Sequence, residues 1–173
     1  MYKHILIGLA AIFSSVFAFP NPVCAQSAIE HHVWQDKRKF QAFSHTSIAI
    51  TGSISLSGNP NFATTGSTMN MTFANGKSVK LSQVLAAWRP WSDIDNKKVT
   101  AEIFRFDHDP GKLLNANTLC GSVENSKHIY VVFYEDTLLG STQLLELAIF
   151  RSQHPPFDKS SLGLCGTYNF LIN

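Results

Sequence analysis

A hairpin signature lies at residues 69–81, which read MNMTFANGKSVKL. Apolar and polar residues alternate on both sides of the central Asn-Gly pair, as expected for two paired strands that bury one face. A two-residue loop would set polar residues against apolar ones across the ladder, whereas a three-residue loop, 74–76, pairs Met71 with Val79. The sequence therefore predicts a bulged hairpin in which Gly76 takes the left-handed conformation.

Five further segments are predicted as strands because β-branched, aromatic and other apolar residues dominate them. The first alternates apolar with polar residues, and Gly52 falls in its apolar register, which indicates a bulge or the close approach of another element. Turn-forming residues separate these segments, which are 47–57, 98–107, 128–135, 142–151 and 163–172. Their regular spacing favours an all-β fold, a single-domain antiparallel β-sandwich or small β-barrel with little helix.

Two segments carry weak helix signals. Ser82 can cap a short helix that runs to Trp88 and ends at the following Arg-Pro. Ser27 and Glu30 have the spacing of a capping box for a second helix. The first of these two helices is expected to be a minor element of an otherwise β-rich chain.

The N-terminus is typical of an export signal. Lys3 precedes the apolar stretch 5–19, and cleavage is favoured after Ala25. The apolar stretch has about 15 residues, fewer than the ~20 needed to span a bilayer, so no transmembrane anchor is expected after cleavage. We therefore expect a signal peptide at 1–25 and one domain at 26–173, secreted or periplasmic, while lipidation of Cys24 is disfavoured by Val23 before it.

The charge balance argues against a nucleic-acid partner. Without Lys3, thirteen basic residues face twelve acidic ones, so the net charge is about +1. The only basic cluster, Lys37-Arg38-Lys39, is short enough to be a solvated face.

Two cysteines of the mature chain occur in matching tripeptides, Leu119-Cys120-Gly121 and Leu164-Cys165-Gly166. In an oxidising compartment such a pair is most simply a disulfide, and two buried free thiols are the alternative. A Cys120–Cys165 bond would tie the segment before strand 128–135 to the last strand, protecting an edge or closing a barrel. Closing this loop would stabilise the fold by about 4 kcal/mol.

These tripeptides, together with the strand 48–56 and the motif Phe73-Ala74-Asn75-Gly76-Lys77, resemble uncharacterised secreted or periplasmic bacterial all-β proteins. The resemblance covers most of the mature chain. It implies an exported β domain and carries no activity, cofactor or ligand.

Motifs of catalysis and metal binding are missing from the sequence. No glycine-framed serine, phosphate-binding glycine loop or paired-histidine zinc helix is present, so no catalytic residue, metal ligand or cofactor is predicted. Adjacent His31 and His32 would point in opposite directions from a strand, and the segment 107–110 is more simply a turn than a ligand set. Glu102 and Glu146 lie within predicted strands, where a carboxylate usually faces water.

The most suggestive local feature is Trp88-Arg89-Pro90-Trp91. Exposed on a loop, Trp88 and Trp91 would be rigid binding anchors, with Arg89 stacking or pairing with an acidic group. The competing interpretation is that both indoles plug one end of the sandwich or barrel. The segment 153–157 is a second candidate loop, in which Phe157 is expected to pack.

These observations favour an exported, non-enzymatic binding module. Its partner would be a protein or a cell-surface component of the envelope. The alternatives are a secreted hydrolase or small-ligand barrel with a dispersed site, and a purely structural envelope role.

Overall fold

The computed structural model describes residues 32–58, 67–87, 99–121, 127–138 and 141–172. Eight antiparallel strands follow one another around a closed barrel, and the last strand pairs with the first. The strands are β1 (Lys39–Ala42), β2 (Ile54–Gly58), β3 (Thr68–Thr72), β4 (Ser78–Ala87), β5 (Ala101–Phe106), β6 (His128–Leu138), β7 (Thr142–Ser152) and β8 (Leu164–Leu171). The predicted all-β antiparallel fold is thus confirmed, in its barrel form.

The inside of the barrel is filled by side chains. Alternate residues of every strand point inward, as the period of two requires, and form one apolar cluster in which Phe40, Phe104, Phe133 and Phe170 are fully buried. Small eight-stranded barrels are commonly filled in this way. The interior therefore serves as the core of the fold.

A second apolar cluster lies on the outer face of β5, β6 and β7. It includes Ile103, Tyr130, Val132 and Phe150, all of which are buried. The central strands β5, β6 and β7 are thus apolar on both faces.

The hairpin of β3 and β4 has the predicted register. Met71 pairs with Val79, and Met69 pairs with Leu81. The amide of Gly76 closes the loop by donating to the carbonyl of Phe73 at 2.9 Å. Gly76 has a φ of 84°, which is the predicted left-handed conformation.

The predicted strand 47–57 is wrong in its first half. Ser47–Thr51 forms a short π-helix, and only Ile54–Gly58 is a strand. The hydroxyl groups of Ser47 and Thr51 explain this, because they donate to nearby carbonyl oxygens and so favour local turns over a ladder. Gly52 then reverses the chain at a φ of 60°, and a Cβ there would lie 2.4 Å from that of Ala74. The close approach predicted at Gly52 is confirmed.

The predicted helix Ser82–Trp88 is also wrong. Residues up to Ala87 belong to β4 and pair with β5, with an irregularity between Gln83 and Leu85. Pairing with a neighbouring strand over six residue pairs outweighs the weak local capping signal. The possible helix at Ser27 lies outside the described residues.

The up-and-down topology gives the barrel two distinct ends. The disulfide end carries the connections 43–53, 73–77, 107–121 and 153–163. The opposite end carries the 3-10 helix Val33–Gln35, which precedes β1. We call it the plugged end, because the buried Trp34 of this helix closes it. Within the described ranges, no helix is long and apolar enough to cross a membrane.

Candidate binding site at the disulfide end

The disulfide joins the connection between β5 and β6 to the start of β8. Cys120 and Cys165 are bonded, with their Cα atoms 4.9 Å apart, which confirms the predicted pair. The register of β7 and β8 pairs Ile149 with Gly166 and Phe150 with Leu164, so Cys165 is the extra residue of a β-bulge. The bulge re-aims the Cys165 side chain towards Cys120.

Beside the disulfide lies an open cavity of about 440 Å³. Its lining comes from the β1–β2, β5–β6 and β7–β8 connections and from the adjoining ends of β7 and β8. The apolar members of the lining are Ile50, Leu119, Leu164 and Tyr168 together with the two half-cystines. Three connections that are distant in sequence therefore build one concave surface.

The cavity lining also carries two cationic side chains, Lys127 and Arg151. Arg151 continues the inward-facing series of β7, and its side chain is only 8% exposed. The guanidinium donates to Oδ2 of Asp109 at 2.7 Å, which fixes its position at the mouth of the barrel. Lys127 is exposed.

Tyr168 ties the floor of the cavity to the barrel. Its hydroxyl donates to the carbonyl of Leu119 at 3.2 Å, next to Cys120. Burial raises the pKa of Tyr168 to about 12, so the hydroxyl stays protonated and remains a donor at physiological pH. This bond and the disulfide hold the segment 118–121 against β8.

Exposed apolar side chains lie in the connections at the same end of the barrel as this cavity, and we call them the apolar rim. Large apolar side chains with substantial exposure cluster in the β1–β2 and β7–β8 connections, whereas Leu138, 38% exposed, lies at the plugged end. Leu162 is 91% exposed and is followed by two lining residues, Gly163 and Leu164. The members of the apolar rim are Phe43, Ile48, Phe157, Leu162 and Leu164. Phe157 is 58% exposed, whereas the sequence predicted a packed side chain, and its amide donates to Oγ of Ser161 at 2.9 Å.

The opposite end is closed by Trp34. Its indole is buried, stacks on the His32 ring at a centroid distance of 4.3 Å, and donates through Nε1 to Oε2 of Glu102 at 3.3 Å. The amide of Val33 donates to Oε1 of Glu135 at 2.7 Å. Burial raises the pKa of Glu102, and the bond from Trp34 partly offsets that effect.

The prediction that Glu102 and Glu146 face water is wrong for both residues. Glu102 points into the barrel, where the Trp34 plug covers it. Glu146 points outward but is buried, and its carboxylate accepts a hydrogen bond from the Tyr134 hydroxyl and another from Nζ of Lys159 at 3.3 Å. The two carboxylates therefore lie on opposite faces of the barrel wall and do not form a catalytic pair.

A second surface depression of about 500 Å³ lies along the outer side of β1. Its lining includes Lys39, Gln41, Ser53 and Leu171, and only Lys39 among them is charged. None of these described lining residues is a buried charged side chain, which makes the depression a weaker candidate than the cavity at the disulfide.

The binding residues predicted from sequence, Trp88, Arg89 and Trp91, lie outside the described residues, as does His31. The segment 107–110 forms the predicted turn, in which Asp109 Oδ1 accepts from the amide of Gly111 at 2.8 Å. Across the described ranges, no group of three or more histidine, cysteine, aspartate or glutamate side chains is placed to hold a metal ion.

Sequence reasoning missed the cavity. Its lining residues belong to separate connections, and only the paired Leu-Cys-Gly tripeptides indicated that two of these segments meet. Comparison of the chain with protein-family models, with curated proteins and with solved structures gives no significant match.

Proposed function

We propose that this protein is an exported, non-enzymatic binding module that captures its partner at the disulfide end of the barrel. The observation that carries the proposal is the apolar rim, which is the set of exposed side chains at the end of the barrel that holds the cavity: Phe43, Ile48, Phe157, Leu162 and Leu164. Contiguous exposed apolar side chains with polar neighbours are typical of interaction sites.

The division between barrel and connections supports this proposal. The interior is filled by apolar side chains, so the ligand site lies outside the core. Binding residues are commonly found on loops that a rigid scaffold positions. Here the disulfide and the bond from Tyr168 to Leu119 fix one of those connections, which reduces the entropy lost when a partner binds.

Export is supported by two independent features. The N-terminal segment 1–25 has the composition of a signal peptide, and the mature chain carries a disulfide. Disulfides persist mainly in oxidising compartments. The partner would therefore be a protein or a component of the cell envelope that presents an apolar surface.

Paired substitutions at the two ends test this proposal. The chain with Ile48→Ser and Leu162→Ser removes two members of the apolar rim, and Leu138→Ser is the matched control because Leu138 is an exposed leucine at the plugged end. The protein purified from the exporting cell is immobilised and exposed to envelope and secreted fractions. We expect the wild type and the Leu138→Ser control to retain the same partner and the double variant to lose it.

Capture supports the proposal only if the double variant loses the partner and the Leu138→Ser control keeps it. Circular dichroism and thermal unfolding of the three proteins should coincide, which shows that the substitutions leave the barrel folded. Equal retention by the double variant would place the interaction elsewhere and remove the proposed surface. Turnover of a small molecule by the wild type, with no retained partner, would favour the hydrolase alternative.

A further inference from the structure

We infer that the first half of β8 binds an extended peptide segment of a protein partner, which adds to the sheet as a strand antiparallel to β8 on the side that β1 leaves. The inference rests on the proposed function, since it states the kind of partner that the disulfide end captures. It names the backbone groups that would bind this partner and the side chains that the partner would need.

The pairing of β1 with β8 ends well before β8 does. β8 runs over Leu164–Leu171, but β1 pairs only with its last two residues. The β1–β2 connection then bonds to one further residue of β8, since the amides of Phe43 and Ser44 and the hydroxyl of Ser47 all donate to the carbonyl of Asn169. Within the described ranges, the earlier part of β8 therefore has a neighbouring strand on one side only, which is β7.

Thr167 directs a backbone donor and a backbone acceptor towards this gap. In a strand, the amide and carbonyl of one residue point to one neighbour and those of the next residue point to the other. The amide and carbonyl of Asn169 bond to the β1–β2 connection, so those of Thr167 point the same way. Among the described residues, none bonds to these two groups of Thr167. An unpaired strand edge is a template for the addition of another strand.

The cavity beside the disulfide provides open space next to this edge. Its walls include Thr46 and Ile50, from the π-helix and the residue before it, and Leu164 and Tyr168, from β8. Gly166 leaves further space, because the nearest atoms that a Cβ there would meet belong to the Tyr168 side chain, at 3.7 to 3.9 Å. A short extended segment can therefore approach β8 from the cavity.

The pleat of β8 determines which side chains the partner needs. Tyr168 points into the barrel, so Gly166 does too and Thr167 points outward. A peptide residue paired with Thr167 would also point outward, and its two neighbours would point inward, where Ile50 and Leu119 line the cavity. The segment that binds should therefore have an apolar residue on each side of a central residue of any type.

Binding of a blocked peptide to the full mature protein tests the inference. The probe is acetyl-Ser-Val-Thr-Val-Ser-amide, and the control is acetyl-Ser-Val-Val-Thr-Ser-amide, which has the same composition but can direct only one valine inward in any register. In a two-dimensional NMR spectrum, the amide signals of 164–168 should shift with the probe, and that of Trp34 should stay unchanged. Titration should show the control binding at least about fivefold more weakly, because one valine then stays in water.

Methylation of the probe backbone separates strand pairing from apolar contact. In the inferred register the amide of the central threonine donates to the carbonyl of Thr167, and the amides of both valines point away from β8. N-methylation of the central threonine should therefore weaken binding by about fivefold or more, as expected for a lost hydrogen bond. N-methylation of the second valine is the matched control, and this probe should bind like the unmodified one.

Hydrogen exchange and two variants test the same edge in the protein. In the free protein the amide of Thr167 should exchange faster than that of Tyr168, which points to β7, and saturating probe should slow it. Thr167→Pro removes the donor, and proline is tolerated on strand edges, so this variant should fold and lose probe binding. If it fails to fold, Gly166→Val gives the second test, because its side chain fills the space beside Tyr168 and should also abolish probe binding.

Three results would overturn the inference: no probe binding by the wild type, equal binding of the two methylated probes, or a Thr167 amide as protected as that of Tyr168 in the free protein. A dimer of the mature protein that the probe dissociates would assign the edge to a second copy and would also overturn it.

Failure of this inference is distinguishable from failure of the proposed function. Partner capture that depends on Ile48 and Leu162 but is unaffected by saturating probe would reject the strand site alone. Probe binding with no effect of Ile48→Ser and Leu162→Ser on partner capture would reject the proposed docking surface alone.

Discussion

The two ends of the barrel are closed by different means. At the plugged end Trp34 is buried in the apolar cluster and bonded to a carboxylate inside the barrel, so this closure is part of the core. At the disulfide end a covalent bond and several side-chain hydrogen bonds, including that from Tyr168 to Leu119 and that from Asn115 to Ala49, hold the connections, and the apolar rim stays in contact with water.

Under the proposed function, the plugged end stabilises the fold and the disulfide end binds the partner. Apolar area at the plugged end is removed from water on folding and stabilises the barrel. Apolar area in the rim at the disulfide end gives little stability to the monomer, and becomes favourable only when a partner covers it. The predictions below test that separation, beginning with the largest expected effect.

Removing the plug should have the largest effect on folding. Trp34→Ala leaves a cavity at the end of the barrel and leaves Glu102 buried without its indole donor, so we expect a loss of up to about 5 kcal/mol in the free energy of unfolding. Chemical denaturation followed by circular dichroism measures this loss. Trp34→Phe should lower the free energy of unfolding by less, because an aromatic ring still fills this end of the barrel. If Trp34→Ala unfolds at the same denaturant concentration as the wild type, Trp34 is not a structural plug.

Removing the covalent closure should have the next largest effect. The double variant Cys120→Ser with Cys165→Ser opens a loop whose ends are 45 residues apart, which should lower the free energy of unfolding by about 4 kcal/mol. The reduced wild type is the matched comparison and should show a similar loss. Hydrogen exchange should become faster at the amides of 118–121. The amides of Trp34 and its neighbours should exchange no faster than global unfolding of the variant allows. An equal rise at both ends would contradict the independence of the two closures.

Sequence reasoning succeeded where a local pattern or a single possible pairing decides the structure, and failed where contacts formed in the fold decide it. The β3–β4 hairpin was predictable because its register depends on local alternation and on one turn residue, Gly76. The disulfide was predictable because removal of the expected signal peptide at 1–25 leaves two cysteines, and therefore a single pairing. The segments 47–51 and 82–87 were predicted wrongly, because local side-chain bonds in the first and strand pairing in the second decided their conformations.

The buried carboxylates show what a single sequence does not contain. Glu102 and its donor Trp34 are 68 positions apart, and no local pattern links them. The cavity could not be predicted for the same reason, since Ile50 and Leu119 meet only after the barrel has closed. The candidate site predicted from sequence, Trp88, Arg89 and Trp91, stays a prediction, because these residues lie outside the described ranges.

Glu102 should make the plugged end sensitive to pH. Its folded-state pKa is raised from 4.5, mainly because burial disfavours the charged form. The stability that the protonated carboxyl contributes is fully present below its unfolded pKa and is lost as the pH rises through the raised folded pKa. Glu102→Gln keeps an oxygen acceptor for Trp34 and removes the ionisation. We therefore expect this variant to be more stable than the wild type at neutral pH, by less than the disulfide contributes.

Urea denaturation at a series of pH values checks the sign of this effect. The difference between Glu102→Gln and the wild type should shrink as the pH falls towards 4.5. Glu135→Gln is the matched control, because Glu135 also binds the plug segment but has a side chain that is 38% exposed. A Glu102→Gln variant that is less stable than the wild type at neutral pH would mean that the charged carboxylate stabilises the plug.

The smallest expected effect gives the sharpest contrast between the ends. Val33→Ser and Leu162→Ser both replace an aliphatic side chain with a hydroxyl, but Val33 is 8% exposed and Leu162 is 91% exposed. Val33→Ser should lower the free energy of unfolding by about 1 to 3 kcal/mol, whereas Leu162→Ser should change it by less than about 0.5 kcal/mol. Thermal unfolding of both variants measures these values. A loss at Leu162 as large as that at Val33 would mean that the apolar rim packs as core, because a side chain that costs so much to replace cannot be exposed and ready for a partner.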